Sequence, residues 1–105
     1  MRDFLVDFSK LNWESVYPGQ RQKTFRRGDK RLRIVELTDQ YPEEEWCEKE
    51  HIGYMLKGRL TIDFNGESLT FKEGDGIFIT GGTENKHKGR IVKGEQVLML
   101  LFEKV

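Results

Sequence analysis

RLTIDFNGESLTFKEGDGIFIT, residues 59–80, decides the fold. Leu60, Ile62 and Phe64 alternate with Thr61 and Asp63. A period of two places the apolar set on one face of a strand and the polar set on the other. Asn65-Gly66 supplies the residues a two-residue type I′ hairpin needs, with positive φ at both central positions. Leu69 and Phe71 resume the alternation, Gly74-Asp75-Gly76 turns the chain again, and Ile77 and Ile79 continue on the next strand.

The same grammar extends outward. In RLRIVELT, residues 31–38, Leu32 and Ile34 alternate before the phase shifts through Val35 and Leu37. Tyr17-Pro18-Gly19 and RRGDK, residues 26–30, read as turns. GRIVKGEQVLMLLFEKV, residues 89–105, reads as a strand, a Lys93-Gly94 turn and a final strand. Residues 11–16 are expected to be weakly helical. Gly is frequent at 11 and Pro rare at 2, and no repeat or low-complexity tract is present. Short strands at regular spacing with turn signals predict an all-β fold, a small β-barrel or double-sheet jelly roll.

A chain of 105 residues makes one domain, 1–105, with one core. Lys+Arg and Asp+Glu are 18 each, so no net field draws it to nucleic acid or to an anionic membrane. A single cysteine, Cys47, forbids an intrachain disulfide and fits a reducing cytoplasm. MRDFLVDFSK is interrupted by Arg2, Asp3 and Asp7, so it is not expected to be a signal peptide. No apolar run approaches membrane-spanning length.

The chemistry is concentrated in EWCEKEH, residues 45–51. On an extended chain Glu45, Cys47, Lys49 and His51 share one face. A carboxylate, a thiol and an imidazole on one face make half of a metal site. His87, in the loop sequence GGTENKHKG, offers a further ligand. The chain has two histidines, and both are candidates.

These residues resemble the cupins. EWCEKEHIGYMLKGRLTIDF is similar to the first cupin motif, in which two histidines flank one residue, a glutamate follows, and Tyr-x-x-x-Gly closes. Tyr54 and Gly58 hold the last two positions. GDGIFITGGTENKH, residues 74–87, is similar to the second motif through Gly74, Asp75 and Gly82, with Thr80 where proline is usual. The resemblance covers about residues 32–103. It implies a barrel enclosing a small-molecule ligand, a metal, and a homodimer. The ligand positions depart from the family. Glu45 and Cys47 stand for the two histidines, His51 for the glutamate, and Asn85 for the last histidine, with His87 two residues beyond.

Two readings follow. In one, Glu45, Cys47, His51 and His87, with Asn85 as the alternative to His87, hold a divalent transition metal, Zn or Fe ahead of Ni or Cu. In the other the protein is a metal-free small-molecule-binding or regulatory cupin. Cys47 is then a small buried hydrophobe, Glu45 part of a solvated acidic run, and His51 a satisfied polar group of the barrel. Cys47 and His51 as a nucleophile and base have no family motif behind them. Trp13 and Trp46 read as packing residues. RRGDKRLR, residues 26–33, reads as a solvated hairpin whose charges can help hold an anionic ligand at the barrel mouth. Residues 97–102 are apolar on both faces, which predicts a homodimer covering part of the outside.

Overall fold

The computed structural model describes residues 3–41 and 45–105. Its strands are β1 (Glu14–Tyr17), β2 (Gln20–Arg27), β3 (Lys30–Thr38), β4 (His51–Lys57), β5 (Arg59–Phe64), β6 (Glu67–Lys72), β7 (Gly76–Ile79), β8 (His87–Arg90) and β9 (Gln96–Lys104). They form a sheet in the order β1-β2-β3-β9-β4-β7 and a second in the order β6-β5-β8. All pairings are antiparallel. The architecture is the double-sheet β fold expected from the alternating pattern.

The core lies between the sheets. Val35 and Leu37 of β3, Met55 of β4, Leu60 and Ile62 of β5, Ile77 and Ile79 of β7, and Val97, Met99 and Leu101 of β9 are buried together. Burying one such side chain contributes about 1.5–3 kcal/mol. The period-two reading of residues 59–80 holds at Leu60, Ile62, Ile77 and Ile79, with Phe64 and Phe71 packed against them, whereas Leu69 is exposed. The phase shift in residues 31–38 has a structural meaning. Val35 and Leu37 face the core, so Leu32 and Ile34 belong to the opposite face of β3.

β9 is the central strand of the large sheet, paired with β3 on one side and β4 on the other. Its inward residues are buried, whereas Leu98 and Leu100 are half-buried and Phe102 is exposed. Gly53 permits the β4–β9 approach, since a Cβ there would collide with the carbonyl oxygen of Leu100.

Three local expectations are corrected. Residues 11–16 are not helical. A 3₁₀ turn sits earlier, at Phe8–Lys10, capped by the Asp7 carboxylate, which accepts from the Ser9 N–H at 3.0 Å, and residues from Glu14 join β1. The Asn65-Gly66 turn is not type I′. Gly66 has φ of 92°, but no non-glycine residue among those described has positive φ. That combination is the type II pattern. His87 is not in a loop but opens β8, opposite Phe64 of β5.

Candidate functional site

Residues 45–50 do not form a regular strand. Their one ladder contact is an isolated bridge, in which the N–H groups of Cys47 and His87 donate to each other's carbonyl oxygens at 2.8 and 2.9 Å. This bridge ties the segment before β4 to the start of β8. It brings the thiol of Cys47 beside the imidazoles of His51 and His87. One donor atom from each of the three lies within 4.8 Å of the other two. Cys47 Sγ is 3.7 Å from His51 Nε2, and the two imidazole rings stand edge to face at 5.1 Å.

Each imidazole has one buried nitrogen without a hydrogen-bond partner. His87 is 3% exposed. Its Nδ1 lies 3.0 Å from the main-chain oxygen of Asn85. A carbonyl oxygen only accepts, so Nδ1 carries a proton and Nε2 is the nitrogen left for another partner. Among the described residues, the buried side-chain atoms without a hydrogen-bond partner are His87 Nε2, His51 Nδ1 and Thr24 Oγ1. Two of the three therefore belong to this cluster. Burial pushes the His51 imidazole down to about 4, with the charges of His87, Arg33 and Lys49 acting the same way against the pull of Glu103. A neutral imidazole at ordinary pH is the form that ligates a metal.

The donor set fits zinc or ferrous iron. Thiolate and imidazole bind these ions and do not suit Mg²⁺ or Ca²⁺. Zinc–sulfur and zinc–nitrogen bonds of about 2.3 and 2.0–2.1 Å at a tetrahedral angle put the two donors about 3.6 Å apart. The observed Cys47–His51 separation of 3.7 Å matches that edge.

Glu45 is exposed and does not join the cluster. Asn85 enters through its main-chain oxygen, as the group that fixes the His87 tautomer. Trp46 is exposed, with the Lys86 and Lys88 ammonium groups 5.3 and 4.9 Å from its ring centre. Trp13 stacks under Arg21 at 4.3 Å.

His51 and His87 also line a cavity of about 110 Å³ between the sheets. Its walls are mostly core side chains, including Val35, Ile62, Ile79 and Met99, with Gln20, Arg33 and Tyr41 as further polar residues. Arg33 was not singled out as a site residue by sequence. Its Nε and Nη2 donate to the two oxygens of Glu103 at 2.6 and 2.7 Å, and its Nη1 to Gln22 Oε1 at 2.7 Å. Arg31 Nε donates to the same Glu103 at 3.0 Å. Burial pushes the Glu103 carboxyl up, but the two guanidiniums outweigh it and hold it below the usual carboxylate range.

No protein-family model matches the sequence, and no curated protein matches it. Solved structures do match. RemF, a polyketide cyclase from Streptomyces resistomycificus, is 20% identical with a TM-score of 0.76, covering 96% of this chain and 78% of its own. KdgF from Halomonas sp. is 18% identical with a TM-score of 0.74, covering 100% of this chain and 96% of its own. A sugar phosphate isomerase of a cupin superfamily from Silicibacter pomeroyi is 14% identical with a TM-score of 0.74, covering 96% and 75%. At these identities the likeness is one of fold. The chain has the fold of small cupin-type domains.

Proposed function

We propose that the protein binds a small organic molecule in its barrel cavity, at a divalent transition metal held by Cys47, His51 and His87. The observation that carries this reading is the convergence of three donor atoms within 4.8 Å, one each from Cys47, His51 and His87, with His87 Nε2 buried and without a hydrogen-bond partner. Three protein donors leave a coordination position for an exogenous ligand. A metal there would act as a Lewis acid toward a ligand oxygen. The chain's own residues do the rest. Asn85 fixes the His87 ring, the Cys47–His87 bridge holds the thiol in place, and the core side chains give the cavity apolar walls. Neighbours described as a polyketide cyclase and a sugar phosphate isomerase agree with a small organic ligand.

Two further features belong to the same reading. The outer face of the large sheet presents Phe78 at 75% exposure, Phe102 and Tyr54, an apolar surface suited to a homodimer. A lone thiol at a metal site fits a reducing cytoplasm. No helix among the described residues is long and apolar enough to cross a membrane.

Anaerobic reconstitution of untagged protein with Zn²⁺ and Fe²⁺ tests the proposal. We expect about one ion retained per chain, lost in His51→Ala and His87→Ala and weakened in Cys47→Ser. Failure of the wild type to retain either ion would instead support a metal-free binding module.

A further inference from the structure

We propose that the cavity takes a small organic carboxylate and that Arg33 is the group that reads its charge. The inference rests on the reading of the cavity as a ligand site, and it adds the chemical class of the ligand.

The first argument is a charge count. Arg31 and Arg33 share one carboxylate, Glu103. Two guanidiniums against one carboxylate leave an excess positive charge where the Arg33 and Glu103 side chains are only 14% and 12% exposed. Such a charge is unfavourable in a half-buried place unless an anion completes it. The second argument is donor capacity. A guanidinium has five N–H donors, and three of those on Arg33 are engaged, two by Glu103 and one by Gln22. The remaining donors belong to a side chain that lines the cavity.

The third argument is the lining itself. No acidic side chain occurs among the described lining residues. Most of the wall is aliphatic, so the site suits an apolar body with one anionic head. A cavity of about 150 Å³ holds the six non-hydrogen atoms of benzene, so about 110 Å³ encloses about four, and a slightly longer ligand is only partly enclosed. Arg33 and the two imidazoles line the same cavity. A metal bound by one thiolate and two neutral imidazoles would itself keep a net positive charge, in the same sense as Arg33. The planar fork of arginine matches a carboxylate better than an ammonium does.

Butyrate joins a short apolar body to one carboxylate, and butyramide is its neutral counterpart. Calorimetric titration of both, and of inorganic phosphate, into metal-free and zinc-reconstituted wild-type protein tests the inference. Butyrate should bind both forms, with Kd on the order of 1 mM for the metal-free protein, and at least about tenfold more tightly than butyramide or phosphate. Arg33→Lys, which keeps the charge, should weaken butyrate about tenfold. Glu103→Gln, which releases the fork, should strengthen it. Equal binding of butyrate and butyramide overturns the proposal. So does phosphate binding as tightly as butyrate, which would mean charge is read without an apolar body. So does a butyrate preference confined to the zinc form, because the metal and not Arg33 would then be the reader. The same samples report zinc uptake independently. Retained zinc with no carboxylate preference sinks this inference alone. Absence of both zinc uptake and any ligand binding sinks the reading of the cavity beneath it.

Discussion

Acidifying the metal-free protein should destabilise it through His51. The imidazole has a folded value of about 4 against about 6.5 in an unfolded chain. Between those values the unfolded state binds the extra proton, so stability rises with pH and is lost as pH falls from 6.5 toward 4. Integrating the two titrations gives a loss of at most about 2 kcal/mol between pH 7.5 and pH 5, and at most about 3 kcal/mol when the group is fully protonated. Carboxylates held low by their partners, such as Asp63 beside Arg90 and Ser68, contribute their loss at lower pH. The window from 6.5 to 5 therefore isolates the imidazole from them. Urea unfolding of chelated, dialysed protein at a series of pH values measures the effect, with His51→Gln as the comparison. The wild type should lose more stability than the variant across that window. Parallel pH profiles would refute the reasoning, because burial would then not be holding His51 neutral.

Other perturbations follow from backbone and surface. Gly53→Ala should be among the most damaging single changes, costing several kcal/mol (about 3 or more), since the new Cβ meets the Leu100 carbonyl oxygen and neither strand can yield; thermal unfolding reads it, and a near-wild-type Tm would contradict the β4–β9 approach. Gly66→Val should cost about 1 kcal/mol or more, because φ of 92° is strained for a β-branched residue even though nothing crowds the site. Light scattering coupled to size exclusion should report a dimer at micromolar concentration, weakened by Phe78→Glu; a clean wild-type monomer would count against the outer face as an interface.

The fold was legible because period-two alternation is a local signal. Leu60, Ile62, Ile77 and Ile79 announce their shared face without any tertiary information, and the glycine turns mark where each strand ends. Residues 11–16 misled because Trp13, Glu14 and Ser15 carry no strong period, and pairing with β2 settles their state. The donor types of the candidate site were visible in EWCEKEH, but their convergence was not. Cys47 reaches the histidines through one bridge to His87, not through a continuous strand, and Glu45 falls outside because the segment does not stay extended. Arg33 and Glu103 are 70 positions apart. Their meeting depends on the β3–β9 register, which no local pattern encodes.

Zinc X-ray absorption on reconstituted protein measures the central claim directly. The account predicts one sulfur at about 2.3 Å and two imidazole nitrogens at about 2.0–2.1 Å, with the sulfur shell absent in Cys47→Ser and no zinc retained in His87→Ala. A zinc-loaded wild type showing only nitrogen and oxygen neighbours, or a protein that retains no zinc at all, would contradict a metal held by Cys47, His51 and His87.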